Sequence, residues 1–282
     1  MRLFTIFCLL QVGLYAQDSA YYHTAFNSQG DSLKARLHRI IRGHTEYPYT
    51  SSSTDVWDML KDTDKDPNNP NNVILIYSNR SVDGDQEYNG GNGWSREHVW
   101  AKSRGNFGNA LGAGTDAHHI RPCDISVNST RSNRNFDDCI TCVDVIDNGF
   151  NTGSKRDQNE WTFQPPVNVR GDVARMIFYM AVRYEGNNGE PDLELTDVLQ
   201  TQSSQAPLHA RLATLLDWHR SDTVDSFERN RNLVIYGYQN NKNPFIDYPE
   251  LAEFLWGDST NYTWKPVSSV GLAEPVLPSV TL

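Results

Sequence analysis

Residues 94–103 read WSREHVWAKS, and residues 115–136 read TDAHHIRPCDISVNSTRSNRNF, with a short glycine-bearing loop between them. Carboxylate, imidazole, carboxamide and guanidinium groups crowd this stretch more than any other in the chain. That set is what a metal-assisted attack on a phosphodiester requires: a base to make the nucleophile, and cations to absorb charge in the transition state. His98 is the natural base, because imidazole titrates near neutral pH. Glu97 offers a hard carboxylate oxygen that suits magnesium better than zinc, and Asn128 offers a second oxygen. Two protein ligands leave water and phosphate oxygens to complete the octahedron that magnesium prefers.

Geometry sets a condition on this reading. Neighbouring residues of a regular strand face opposite ways, so Glu97 and His98 share a site only at a strand end or bend. A helix over residues 127–136 would put Asn128, Arg131 and Asn135 on one face at spacings i, i+3 and i+7. Arg131 would then sit beside the metal ligand, able to grip a phosphate oxygen. Arg104 and Arg121 are further candidates for that grip, and Lys102 is a candidate contact to the nucleic-acid backbone.

Working outward, Asp31 opens a helical pattern with Leu33, Leu37, Ile40 and Ile41 on one face and Gly43 as its stop. A short helix is expected around Val56, Trp57, Met59 and Leu60. Residues 62–72, DTDKDPNNPNN, read as a loop from their Asp, Asn and Pro content. The alternating acids suggest calcium, but the glycine and terminal glutamate of an EF-hand are missing. The apolar run at residues 73–77 reads as a buried strand, followed by a polar glycine-rich loop to Gly93. A second loop is expected around Asn148, Gly149, Asn151 and Gly153. Asp172 is a candidate cap for a helix burying Val173, Met176, Ile177, Met180 and Tyr184. Leu208, Leu212, Leu215, Leu216 and His219 suggest another helical face, and a third helix runs through Phe227 and Arg231 to Ile235. Within it Glu228 and Arg231 are spaced for an ion pair. Residues 243–247 read as a closing turn, and the pattern fades past Pro249.

At 282 residues the chain suffices for one large domain. Its 38% hydrophobic and 21% charged residues exclude a disordered chain. Residues 1–16 differ: Arg2, an apolar run and Ala16 form the pattern of a secretory signal cleaved after Ala16. The run is too short to span a bilayer, and no other stretch would. Export to the outside or the periplasm follows. In that oxidising setting the mature cysteines, Cys123, Cys139 and Cys142, imply one disulfide and one free thiol, with the pairing left open. Cys139 and Cys142 lack the second CxxC that a Cys₄ zinc site needs. The net charge is −10, which argues against binding nucleic acid through overall positive potential. Locally, Arg96, Lys102, Arg104, Arg121, Arg131 and Arg134 outnumber Glu97, Asp116 and Asp124, six against three, a balance of +3. An acidic body with a basic patch suits an enzyme that must release a polyanion.

REHVWAKS, then DAHHIRP, then VNSTRSN, in that order, resemble the motifs of the bacterial endonuclease I family. YYHTA, DTDKDPNNPNNVILIY, GDVARMIFYMAVRYEG, DWHRSDTVDSFERNRN and NKNPFIDYPE extend the resemblance over residues 21–256. The resemblance implies an α+β fold: a ββα-metal core of two strands and a helix around one divalent cation, embedded in a larger, helix-rich single domain. That domain covers residues 17–265, with residues 266–282 as a linker or tail. It implies His98 as general base and Glu97 with Asn128 as ligands of Mg2+, with Mn2+ or Ca2+ as substitutes. It implies hydrolysis of DNA, and often RNA, to 5′-phosphate ends, by a protein expected to be a monomer. Ala101 stands where the family often has proline, and His119 where some members have asparagine. The family's phosphate-stabilising arginine is not placed by the motifs, and Arg104, Arg121 and Arg131 remain open.

Two alternatives stand beside this reading. The segment DAHHIRP echoes the HNH nucleases, which would move the base to His118 or His119; otherwise these two support the site or contact phosphate. A protein of this fold without activity would be an exported nucleic-acid-binding or adhesion module, which the intact Glu97, His98 and Asn128 disfavour. A metallopeptidase is disfavoured because no HExxH motif occurs.

Overall fold

The computed structural model describes residues 20–266. The export signal expected at residues 1–16 and nearly all of the expected tail lie outside that range. Within it the chain is a mixed α and β protein in which helices predominate and four small sheets lie around them.

Helix α1 (Gly30–Ile41) buries Leu33, Leu37 and Ile41, with Ile40 only half-buried. Beyond it Gly43 takes a left-handed φ of 71°, the conformation in which only glycine escapes a steric penalty. Helix α2 (Val56–Thr63) starts from Asp55, whose side chain accepts from the amides of Trp57 and Asp58 in a capping box.

Residues 62–72 are not simply a loop. Strand β1 (Lys65–Asp66) pairs antiparallel with β2 (Asn69–Ile74), which pairs with β3 (Ser81–Asp83). The strand therefore draws on the Asn-Pro-Asn-Asn segment and ends at Ile74, earlier than the apolar run suggests. Leu75, Ile76 and Tyr77 stay buried without strand pairing of their own, and the Ile76 amide donates to the Pro122 carbonyl at 2.9 Å. The acids of this segment disperse: Asp62 faces Lys65 and Tyr238, while Asp64 faces Arg121 and Arg231.

Strand β4 (Trp94–His98) pairs antiparallel with β5 (Ile120–Asp124), His98 opposite Ile120 and Glu97 opposite Arg121. Helix α3 (Ile125–Arg131) leaves β5 without a loop. It stops at Arg131, and Asn135 belongs to β6 (Asn135–Phe136). The helical face expected to carry Asn128, Arg131 and Asn135 together does not exist. Strand β6 runs parallel to β9 (Thr162–Gln164), which pairs antiparallel with β8 (Phe150–Asp157), and β8 with β7 (Val143–Asp147). Asn148 and Gly149, with φ of 48° and 82°, make the β7–β8 turn, which two consecutive positive φ values allow. The expected loop there is thus a hairpin, with Asn151 and Gly153 inside β8.

The centre is helix α4 (Arg170–Arg183), buried on every side from Gly171 onward. It starts at Arg170, so Asp172 lies in its first turn and is not its cap. Leu208 belongs to the short strand β10 (Leu208–His209), which pairs parallel with residues 194–195 and precedes helix α5 (Leu212–Ser221). Helix α6 (Ser226–Gln239) follows, then the turn-like α7 (Pro244–Asp247) capped by Asn243, and α8 (Leu251–Leu255), which the fading pattern past Pro249 does not suggest. Glu228 and Arg231 do not pair with each other: Glu228 meets Arg175 and Arg231 meets Asp64. Cys139 and Cys142 form the disulfide, leaving Cys123 free and buried. No helix among the described residues is long and apolar enough to cross a membrane.

Candidate active site

Strand β4 ends at His98, and that placement meets the geometric condition. Glu97 and His98 are both nearly buried and line one cleft of about 370 Å³, together with Arg96, Lys102, Asn128, Arg131 and Asn133. The floor is fixed from behind, because Tyr77, Val99, Trp100, Cys123 and Val127 all belong to the main core.

Glu97 is held by two groups on one oxygen. The Tyr77 hydroxyl donates to Oε1 at 2.9 Å, and Arg131 Nη1 lies 3.2 Å from the same atom. Oε2 has no partner among the described residues. Burial pushes the Glu97 carboxyl up to about 7, against the opposing pull of Arg131 and the Tyr77 hydroxyl. A cation at Oε2 would favour its ionised form.

His98 is held neutral. Burial, then neighbouring His119, push its pKa well below the ordinary value, so the ring carries one proton. Nε2 lies 3.0 Å from the Gly114 carbonyl. A carbonyl only accepts, so the proton sits on Nε2 and Nδ1 keeps its lone pair. Tyr49 stacks on the imidazole, ring centroids 5.6 Å apart, and fixes its plane.

Asn128 points its amide at β4. Nδ2 donates to Ser95 Oγ at 3.1 Å and to the Arg96 carbonyl at 3.2 Å. That anchoring turns Oδ1, which has no partner among the described residues, into the free end. Glu97 Oε2 and Asn128 Oδ1 are hard oxygen donors on one cleft, and they fit a divalent cation. Among the described residues no three or more His, Cys, Asp or Glu side chains gather to hold a metal. A cation here would rely on these two protein oxygens and on water or substrate for the rest.

The arginines separate by what they already hold. Arg131 lines the cleft but is committed: it donates to the carbonyls of His98, Val99 and Ser132, meets His209 Nε2 at 2.9 Å and pairs with Glu97. It fixes the end of β4, with only its buried Nε left without a partner. Arg104, fully buried, donates to the carbonyls of Asn133, Thr201 and Gln200. Arg121 is paired with Asp64 and Asp172. Neither lines the cleft. Asn135 bonds the carbonyls of Trp161 and Gln200 and accepts from the Gln200 amide, and it does not line the cleft.

His118 and His119 also stay out of the cleft. His118 Nε2 lies 3.2 Å from the Asn241 carbonyl, and His119 Nε2 2.7 Å from that of Ala113. Burial pushes both down to about 4. His119 packs 5.5 Å from His98, ring to ring, behind the site. Lys102 is exposed at the rim, with Nζ 2.9 Å from Asn109 Oδ1.

Sequence reasoning missed Tyr77, which reads as core within an apolar run, and Tyr49, which lies far from the motif. It also counted Arg96 only as charge. A larger cleft of about 760 Å³ lies across α3, lined by Arg80, Asp124, Ser126, Ser129 and Asp147. Size alone would favour it, but it holds no histidine, and its carboxylates Asp124 and Asp147 share Arg80.

The sequence matches the Endonuclease I family over residues 29–250. It is 51% identical over 245 residues to an extracellular ribonuclease of Bacillus subtilis (strain 168), covering 86% of this chain and 80% of that protein. It is 49% identical over 247 residues to an extracellular ribonuclease of Bacillus amyloliquefaciens, covering 86% and 79%.

Proposed function

The chain belongs to the endonuclease I family, and on that premise we propose an exported nuclease that hydrolyses phosphodiester bonds in both RNA and DNA. Family membership makes it a nuclease acting on nucleic acid, in place of a binding module without activity. In this reading β4, β5 and α3 form a ββα-metal core, His98 is the general base, and Glu97 with Asn128 hold the cation. One observation carries it: three unpartnered atoms, His98 Nδ1, Glu97 Oε2 and Asn128 Oδ1, belong to residues that line the same cleft.

The protein's own part follows from those contacts. The Gly114 carbonyl keeps the proton on Nε2, so Nδ1 takes a proton from water. The water oxygen then forms its bond to phosphorus as the bond to the 3′ oxygen breaks, leaving a 5′-phosphate and, once that oxygen is protonated, a 3′-hydroxyl. A magnesium ion between Glu97 and Asn128, with Mn2+ or Ca2+ as substitutes, would supply positive charge to the phosphate in the transition state. Tyr77 and Arg131 hold Glu97 in place for it. The ribose 2′-hydroxyl takes no part, so the same chemistry covers both polymers. RNA stands beside DNA here because both relatives are called ribonucleases, and export is supported by their being called extracellular and by residues 1–16.

The test is cleavage of supercoiled plasmid and of a single-stranded RNA, with magnesium and with EDTA, by the wild type and by His98→Ala, Glu97→Ala and Asn128→Ala. The expected result is loss of both activities in EDTA and in each variant, with 5′-phosphate ends from the wild type. Full activity in His98→Ala would overturn the base. Cleavage of RNA alone, to 2′,3′-cyclic ends and without metal, would overturn the hydrolytic reading.

A further inference from the structure

The proposed chemistry needs a protein cation on the phosphate, and the arginines named by the motifs are spent elsewhere. We propose that Arg96, clamped between the rings of Tyr49 and Trp57, is the residue that grips the scissile phosphate, with Lys102 on the neighbouring phosphate. This rests on His98 being the base of the cleft.

Unused donors and uncompensated charge lead to Arg96. The cleft is lined by three basic residues, Arg96, Lys102 and Arg131. Arg131 is neutralised by Glu97, and both its terminal nitrogens are taken by carbonyls and His209, which leaves only a buried Nε. Arg96 has no carboxylate within ion-pair distance among the described residues. Of its five N–H donors, one on Nη1 goes to the Tyr49 carbonyl and one on Nη2 to Thr50 Oγ1 at 3.0 Å. The other three remain. A half-buried guanidinium without a counter-ion is costly unless an anion completes it, and the substrate is an anion.

The guanidinium is also held ready. Its central carbon lies 3.4 Å from the Tyr49 ring centroid and 4.0 Å from that of Trp57. Trp57 is braced edge-on by Trp94, centroids 4.7 Å apart, on a helix capped by buried Asp55. A planar fork fixed between rings loses little freedom on gripping two phosphate oxygens. Tyr49 touches both Arg96 and His98, so one ring sets the phosphate contact and the base in a common frame. Arg96 and His98, two apart on β4, lie on one side of the strand. Lys102 likewise has no carboxylate partner, its bond being to the neutral Asn109 amide.

The experiment compares Arg96→Gln, Arg96→Lys and His98→Ala on RNA and DNA oligonucleotides under magnesium. Removing one donor to transition-state charge typically costs about 100- to 1,000-fold, so Arg96→Gln is expected to lose at least about 100-fold in kcat/KM on both polymers. Arg96→Lys recovers only part of this, because an ammonium lacks the planar fork. Millimolar guanidinium ion restores part of the rate to Arg96→Gln. In a His98→Ala background, where substrate stays intact, the slope of log binding constant against log salt becomes shallower by about 0.7 when Arg96 is replaced, the share of one phosphate contact on a single strand. Cleavage by Arg96→Gln within threefold of wild type, or an unchanged slope, overturns the assignment. If Arg96→Gln melts early, guanidinium decides: recovery supports the contact and its failure overturns it. An inactive His98→Ala beside an active Arg96→Gln faults Arg96 alone, whereas an active His98→Ala faults the base.

Discussion

The cleft at the end of β4 and the polar centre around Asp116 are made of the same residue types. In the centre every charge is closed. Asp116 is fully buried and accepts from the hydroxyls of Tyr179 and Tyr184 at 2.8 and 2.9 Å, from Gln239 Nε2 at 3.0 Å and from the His118 amide at 3.0 Å. Burial pushes its carboxyl up, but His44, His118 and Gln239 outweigh burial and hold it well below the usual carboxylate range. In the cleft, by contrast, Glu97, His98, Asn128 and Arg96 each spend part of their bonding capacity on the protein and keep part unspent. A residue type marks chemistry only where the atom left over opens on a cleft, since His119 Nδ1, buried near Asp116, also has no partner.

The comparison is most exposed at its two kinds of histidine. His98→Ala should lose about 10²–10⁴-fold in kcat, the usual worth of a placed base, with a melting temperature near wild type. His118→Ala should do the reverse. It removes a ring packed 4.4 Å from Tyr179 and bonded to the Asn241 carbonyl, so it should destabilise by about 1–3 kcal/mol and keep its activity per folded molecule. Plasmid nicking alongside a thermal melt separates the two. An inactive but fully stable His118→Ala would collapse the distinction and bring back the HNH-like alternative.

The carboxylates give the next contrast. Glu228 receives both Arg175 Nε at 2.6 Å and Nη2 at 2.7 Å, and Arg175 is fully buried. Glu228→Ala leaves that cation only the Asp222 carbonyl, His219 Nδ1 and an Asp172 oxygen 3.8 Å away, and should cost about 3–5 kcal/mol in urea unfolding. Glu97→Ala strands Arg131 far less, since three carbonyls and the Phe136 ring still hold it. It should cost clearly less stability, while abolishing magnesium binding measured by calorimetry. Equal losses of stability in the two variants would make Glu97 a structural residue like Glu228.

Much of this architecture is legible in the sequence, and the reasons it stops are physical. The helices at residues 30–41 and 56–63 show as apolar spacing, since each buries an apolar face, whereas the helix at 226–239 buries Glu228, Arg231, Asn232 and Gln239 beside Ile235. Strand β2 and the β7–β8 hairpin do not, because Asn69, Asn71 and Asn151 are exposed and no alternation marks their pairing. Glu97, His98 and Asn128 stand out because motif order names them. The arginines do not, since whether a guanidinium is free depends on carbonyls and carboxylates far along the chain. Arg121 meets Asp64, and Arg131 meets His209. Arg96, meanwhile, is kept available by a tyrosine that no motif includes.

The smallest expected effect concerns pH. His219 lies in the closed region, Nε2 2.9 Å from the Pro249 carbonyl and Nδ1 3.4 Å from Arg175. Burial, then the Arg175 charge, push it down to about 4, against about 6.5 in the unfolded chain. The unfolded state therefore takes up a proton first. Its contribution to stability is fully present above about pH 6.5 and is lost as pH falls toward 4, at up to about 3 kcal/mol for a shift of this size. His219→Gln cannot titrate, so the fall in its unfolding free energy between pH 7 and 4.5 should be shallower than that of the wild type by part of that amount. Arg175 and Glu228 are present in both proteins, so the difference isolates the imidazole. Parallel curves would mean that His219 is already open to solvent in the folded state, and that the region is less tightly closed than its contacts imply.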